Sequence, residues 1–170
     1  MDRREFLQKC VALGATGAFV RRGQTVVIKP NIGWSQGPDI AANTNPELVK
    51  RLIEQRIQAG AKKVCVFDHG CDNGPASYKT SLIESYAKDG GATVVSGDNS
   101  SSYQEVAIPG AVTLKKTKVH ELILEADVFV NMPVLKDHMG AGMKRPYPYG
   151  ADRGGGNAER RRHRNRGFLD

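Results

Sequence analysis

The order of secondary-structure signals along the chain is the feature that most constrains its fold. An amphipathic helix predicted to begin at Asn45 is followed by a predicted strand at 63–68, and this order recurs with a helix from Ser81 and a strand at 93–95. Asn45 can cap a helix, and Ser81 opens a capping-box pattern that ends on Glu84. Apolar strands that alternate with amphipathic helices are typical of a mainly parallel sheet with helices on both faces. The sequence therefore predicts an α/β fold.

Two further apolar runs, at 25–29 and 128–131, predict strands that each stop before a proline. The segments 104–109 and 111–114 predict short strands or a hairpin, and 119–125 predicts a short helix. The whole chain of 170 residues is about the right length for one domain.

The basic residues lie at the two ends of the chain. Residues 144–170 hold eight Lys or Arg against three Asp or Glu, and residues 1–22 hold five against two. Because the net charge is +7, the intervening residues 23–143 sum to −1. A groove that follows phosphates needs basic residues on the folded surface, so we do not expect specific nucleic-acid binding. No apolar run approaches the roughly 20 residues that span a bilayer, so no membrane span is predicted.

The first 18 residues have the pattern of an export signal. Arg3-Arg4 is followed by Phe6-Leu7, and a weakly hydrophobic run rich in Ala and Gly occupies 10–20. This pattern predicts a twin-arginine signal cleaved after Ala18, the twin-arginine translocation machinery as a partner, and a periplasmic or otherwise exported protein. The alternative is an amphipathic N-terminal helix, but its glycines weaken a helix and no polar face develops.

Polar and ionisable residues follow the predicted strands. In parallel sheets, ligands bind beyond the carboxyl ends of the strands. The residues that this rule nominates are Lys29 and Asn31, Asp68 to Cys71, Asp98, and Asn131 to His138. We therefore expect a cleft for a small anionic ligand or a cofactor at this edge of the sheet.

The candidate catalytic residues are Lys29, Lys136 and His138. A lysine at a strand end can hold a carboxylate or a phosphate, or have its pKa tuned by burial. His138 can act as an acid, a base or a metal ligand near neutral pH. The alternative is that these residues are solvated parts of a strand end and a polar loop, and the pattern does not decide whether the chain is an enzyme.

The candidate cofactor-binding residues are Asn31, Asn43, Thr44 and Asn131. Asn43 and Thr44 precede a predicted helix start, where unpaired N–H groups bind anions readily. Asn45, in the same segment, is explained by helix capping alone.

Asp68, His69 and Cys71 place oxygen, nitrogen and sulfur donors within four positions. Such donors can bind a metal, and Asp68 and Cys71 are the candidate ligands, although the spacing matches no standard ligand set. Cys65 lies in an apolar strand pattern and is predicted to be a core residue. His120 is predicted to lie on the surface of the short helix.

Several motifs of the chain occur in a characteristic order. They are Val-Val-Ile-Lys-Pro-Asn-Ile-Gly-Trp at 26–34, Ala-Asn-Thr-Asn-Pro-Glu at 42–47, Ala-Gly-Ala-Lys-Lys-Val at 59–64, Phe67-Asp68 with Cys71, and Ala-Asp-Val at 126–128 leading to Asn131, Pro133, Lys136 and His138. In that order they resemble the bacterial and archaeal domain-of-unknown-function family 362, over about residues 19–143. Many exported members of the family carry a twin-arginine signal like this one.

The resemblance implies no particular reaction, because the family has no settled activity. Some relatives are fused to ferredoxin-like iron–sulfur modules. An iron–sulfur- or metal-linked redox protein is therefore the alternative class, with the metal or cluster expected in full-length relatives. This chain itself has no cluster-binding cysteine motif.

The chain departs from the family pattern at both ends and in one loop. The segment between the signal and the first strand is short, and the second cysteine often present near Ser77 is missing. The likeness stops after 142–144. We therefore expect a signal at 1–18, an incomplete α/β domain at 19–143 and a basic tail at 144–170.

The tail has no helical or strand period and contains an arginine-rich run at 160–164. It is a functional basic tail for anionic partners, a disordered end without a specific role, or a run of out-of-frame residues after a frameshift. The loss of likeness where the composition changes favours the frameshift. A non-functional fragment of a longer family member is accordingly a further alternative.

Overall fold

The computed structural model describes residues 19–136, which form a parallel sheet with helices and a separate hairpin. The strands are β1 Thr25–Pro30, β2 Lys63–Asp68, β3 Thr93–Ser96, β4 Tyr103–Ala107, β5 Lys116–His120 and β6 Val128–Met132. The helices are α1 Pro46–Gln58, α2 Gly74–Thr80, α3 Ile83–Asp89 and α4 Glu121–Glu125. Short 3-10 turns occupy Pro38–Ile40 and Ser100–Ser102.

The main sheet has the strand order β3-β2-β1-β6, and all of its neighbouring strands are parallel. The predicted α/β class is therefore confirmed. The chain moves from β1 outward to β3 and then returns to place β6 on the other side of β1. The strand order thus reverses between β1 and β6, which is where open parallel sheets bind their ligands.

Alternate residues of the strands face two hydrophobic layers. On one face, Ile28 of β1 packs in a cluster with Val49 and Ile53 of α1. On the other face, Val27 and its neighbours in β2 pack with residues of α4. Helices therefore cover both faces, as predicted. No helix among the described residues is long and apolar enough to cross a membrane.

Helix α1 begins where the sequence predicts it to begin. The side chain of Asn45 accepts hydrogen bonds from the backbone N–H groups of Glu47 and Leu48. Pro46 occupies the start of the helix, where its missing N–H costs nothing.

The predicted capping box at Ser81 is wrong. Helix α3 begins only at Ile83, and its N-cap is Leu82, which is in the left-handed conformation and makes no side-chain capping bond. The Ser81 hydroxyl donates to the carbonyl of Tyr78 in α2, a helix that the sequence did not predict, and its oxygen accepts the Ile83 N–H at 3.4 Å.

The second strand of the hairpin lies further along the chain than predicted. It was expected at 111–114, and β5 instead occupies Lys116–His120. His120 is 0% exposed, which corrects its predicted place on a helix surface. Its ring lies 4.6 Å from the ring of Phe67 and 5.0 Å from that of Tyr103. Its Nδ1 accepts the N–H of Leu122 at 3.1 Å, so the side chain caps α4.

We expect the folded protein to lose stability in mild acid through His120. Burial lowers the pKa of His120 below its ordinary value of 6.5, and the nearby Glu121 carboxylate only partly opposes this. The unfolded chain therefore takes up the proton first. The stabilising contribution is complete above about pH 6.5 and is lost as the pH falls from there towards the folded-state pKa.

The measurement is denaturant unfolding at about pH 7.5 and about pH 5.5. His120→Asn is the matched variant, because an asparagine still accepts a capping bond but does not titrate. Its unfolding free energy should change less between the two pH values than that of the wild type. Equal changes in both proteins would contradict the assignment.

Candidate functional site

The carboxylate of Asp68 lies at the end of β2 and joins the ends of two strands. Its Oδ1 is 2.5 Å from Lys29 Nζ, at the end of β1. Its Oδ2 accepts the backbone N–H of Ile32 at 2.6 Å, and Oδ1 also accepts that of His69 at 2.9 Å. Asp68 is only 3% exposed, so these donors replace the water that the buried charge has lost.

The ion pair defines what Lys29 does. As a candidate catalytic residue, Lys29 was expected to offer a cation to a ligand. The structure places its charge against Asp68, itself a candidate metal ligand. Both residues lie at the expected edge of the sheet, where they form a fixed pair within the protein.

A tyrosine that no sequence motif marks, Tyr78, fixes the backbone of Asp68. The Tyr78 hydroxyl accepts the Asp68 N–H at 2.6 Å and lies 2.8 Å from the Asp68 carbonyl and 3.0 Å from that of Val95 in β3. Burial raises the pKa of Tyr78 well above its usual range, so the hydroxyl keeps its proton as a donor. Tyr78 reaches Asp68 because it lies on α2, and the sequence did not predict that helix.

Thr44 joins the ends of β1 and β6. Its Oγ1 accepts the Asn31 N–H at 2.8 Å and donates to the Met132 carbonyl at 2.7 Å. Its own N–H donates to the Asn31 carbonyl at 3.0 Å. Thr44 therefore fixes the two strands on either side of the point where the strand order reverses.

Asn43 holds the loop that follows β1. Its Oδ1 accepts the N–H groups of Gly33 and Trp34, and its Nδ2 donates to the carbonyls of Trp34 and Gln36. These four bonds match the hydrogen-bonding capacity of an asparagine side chain. These bonds to the loop backbone therefore explain why the polar side chain of Asn43 is buried.

Two of the predicted site residues converge on one carbonyl. Asn31 Nδ2 and Lys136 Nζ each donate to the Ala42 oxygen at 3.0 Å. A Cβ placed on Gly33 would lie 3.6 Å from Asn31 Nδ2 and 3.8 Å from Lys136 Nζ. An ammonium and an amide from distant parts of the sequence therefore meet near Gly33, in the loop that follows β1.

The other candidate residues lie at varying distances from this centre. Asn131 is the register partner of Lys29 across the β1–β6 ladder. Cys71 is exposed, and its N–H donates to the Gly33 carbonyl at 3.3 Å. Asp98 accepts from the Ser96 hydroxyl beyond β3. His138 lies outside the described residues.

The described residues contain no group of three or more His, Cys, Asp or Glu side chains that could hold a metal ion. A metal at Asp68 and Cys71 stays a prediction. Asp68 Oδ1 contacts Lys29 Nζ and the His69 N–H, and Oδ2 accepts the Ile32 N–H, so a metal at this carboxylate would share it with these donors.

The fold and the strand-end cluster define an α/β protein with a polar site at the switch point of a parallel sheet. The chain belongs to the family described as Domain of unknown function (DUF362), which matches residues 26–144. This confirms the resemblance drawn from the order of the motifs. Neither the curated proteins nor the solved structures contain a match to the chain.

We predict that Asp68→Asn lowers the free energy of unfolding by about 2–4 kcal/mol, because it leaves the Lys29 ammonium half-buried without its counter-charge. The measurement is urea denaturation at neutral pH. The control is Asp89→Asn, whose carboxylate is 74% exposed and 3.4 Å from Lys50. This surface pair should contribute less than about 1 kcal/mol. Equal losses in the two variants would show that the Lys29–Asp68 pair is not structurally important.

Proposed function

We propose that this chain is an exported α/β protein that binds a small anionic ligand, or the anionic part of a cofactor, at the carboxyl ends of β1 and β6. The observation that carries the proposal is the meeting of Lys136 Nζ and Asn31 Nδ2 near Gly33. An ammonium and an amide N–H are suitable partners for carboxylate or phosphate oxygens.

The two lysines have different roles in this proposal. Lys29 is paired with Asp68 at 2.5 Å and holds the end of β1 against the end of β2. Lys136 follows β6, and its Nζ lies with a second donor, Asn31 Nδ2, at the Ala42 carbonyl. We assign the positioning role to Lys29, because it joins two strand ends, and the ligand contact to Lys136, because two donors meet there.

The other candidate residues in the described part of the chain would shape the cleft and make no direct contact with the ligand in this proposal. Thr44 and Asn43 fix the strand ends and the loop against which the ligand would lie. Asn131 adds an amide beside Lys29 in the strand register. The proposed role of His138 as a proton donor or acceptor depends on its place two residues after Lys136.

We predict that Lys136→Ala weakens the binding of inorganic phosphate or acetate by on the order of tenfold. The reason is the loss of the ammonium that faces the cleft. Isothermal titration calorimetry of the full chain at low ionic strength measures the affinity. The control, Lys62→Ala, removes the same charge just before β2, at the amino ends of the parallel strands and away from the proposed site. A wild type that binds neither anion would exclude the proposed site.

The export part of the proposal depends on Arg3-Arg4 and the weakly apolar run after it. We predict that Arg3→Lys/Arg4→Lys leaves the protein in the cytoplasm with its signal uncleaved. Cell fractionation and mass spectrometry of the N-terminus measure this. The control is Arg21→Lys/Arg22→Lys, a second arginine pair beyond the predicted cleavage point, which should leave export unchanged. Unimpaired export of the first variant would exclude the twin-arginine route.

A further inference from the structure

The hairpin of β4 and β5 is anchored to the body of the protein at one end. At that end Tyr103 pairs with His120, and both side chains are buried. The two strands then run for five residues each, on the order of 15 Å. At their far end the Ile108 N–H donates to the Lys115 carbonyl at 2.9 Å and closes a loop. Residues 108–115, the hairpin tip, therefore lie away from the anchored end.

The hairpin tip exposes aliphatic side chains to solvent. Val112 is 91% exposed and Leu114 is 60% exposed. A Cβ added to Gly110 would meet no heavy atom within 4 Å, so the space beside the turn is open. Single exposed apolar residues are common on protein surfaces, but exposed apolar surface that is concentrated at one site indicates an interaction with a partner or a membrane.

Lysines follow these apolar residues directly. Residues 103–120 hold three lysines, Lys115, Lys116 and Lys118, and one acidic residue, Glu105. Lys116 Nζ pairs with the Glu105 carboxylate at 2.7 Å. Lys115 and Lys118 are exposed and add two positive charges that this one carboxylate does not balance. The hairpin thus combines exposed aliphatic side chains with adjacent positive charge.

The size and the charge of the hairpin tip together indicate the kind of partner. Two aliphatic side chains offer far less than the roughly 800 Å² that each partner buries in a stable protein complex. A lipid bilayer needs no complementary surface, because its acyl chains accept any apolar group and its anionic headgroups attract lysines. A bilayer surface therefore fits this tip better than a protein does.

We propose that the hairpin tip docks this protein on an anionic lipid bilayer. Val112 and Leu114 enter the boundary between headgroups and acyl chains, and Lys115 and Lys118 contact lipid phosphates. This docking is peripheral and involves only the surface of the bilayer. It is an interaction separate from the strand-end site, and it does not depend on the anion-binding function proposed above.

The first test measures whether the tip enters the bilayer. In the full chain, Trp34→Phe removes the only tryptophan, and Val112→Trp then places a fluorescent reporter at the tip. Phosphatidylglycerol vesicles with brominated acyl chains should shift its emission to the blue and quench it. The control is Trp34→Phe/Leu48→Trp, because Leu48 lies on α1 and is 60% exposed, as Leu114 is. Absent quenching at the tip, or equal quenching in the control, would overturn the proposal.

This readout also separates the tip from the basic residues near the two ends of the chain. Those residues can hold the protein at a charged surface, but they do not bring the side chain at position 112 into contact with brominated acyl chains. Quenching of the tip reporter therefore reports insertion of the hairpin itself.

The second test measures the contribution of the two lysines. We expect Lys115→Ala/Lys118→Ala to weaken sedimentation with phosphatidylglycerol vesicles by on the order of tenfold. The Tm should not change, because both side chains are exposed. The control is Lys62→Ala/Lys79→Ala, which removes two exposed lysines outside the hairpin. Equal losses in the two double variants would show a general effect of net charge and contradict the role of the hairpin.

A protein partner at the hairpin tip would give a different result. If the tip joined two copies of the chain, the wild type would sediment as a dimer without lipid, and Val112→Ser/Leu114→Ser would sediment as a monomer. That outcome would overturn the bilayer proposal. It would not affect the proposed anion site, because phosphate or acetate binding at Lys136 is measured without lipid.

Discussion

The buried carboxylate of Asp68 is the interaction on which the strand-end site depends. A charge that is 3% exposed costs several kcal/mol unless donors surround it. The donors come from Lys29, from the backbone of the loop after β1, and from the backbone of its own loop. Each loop must keep one conformation to supply them. The ends of β1 and β2 are therefore fixed relative to each other by contacts within the protein.

This arrangement divides the site into two unlike halves. Between β1 and β2, the Lys29 and Asp68 charges compensate each other, so this half holds the structure together. Between β1 and β6, Lys136 and Asn31 bring an ammonium and an amide to a shared carbonyl. For the proposed ligand, contacts that already fix the strand ends would reduce the conformational entropy that is lost on binding.

The sequence predicted the elements of the sheet better than the contacts between them. Apolar runs and the Asn45 cap indicate β1, α1 and β2 because those signals are local. The pairing of Lys29 with Asp68 depends on strand order, which no local signal contains. His120 was misplaced because a short apolar segment fits a strand or a helix equally well. Tyr78 was missed because α2 has only seven residues and a weak pattern.

Three successive residues before α1 determine the shape of the proposed cleft. Asn43 holds the loop after β1, Thr44 joins β1 to β6, and Asn45 caps the helix. The carbonyl of the preceding Ala42 receives both Asn31 and Lys136. The position of Lys136 is therefore not determined by the sheet ladder alone, since it also depends on a segment anchored to a helix terminus. The same segment that starts α1 thus helps to place the ammonium of Lys136, which follows β6, near Gly33, which follows β1.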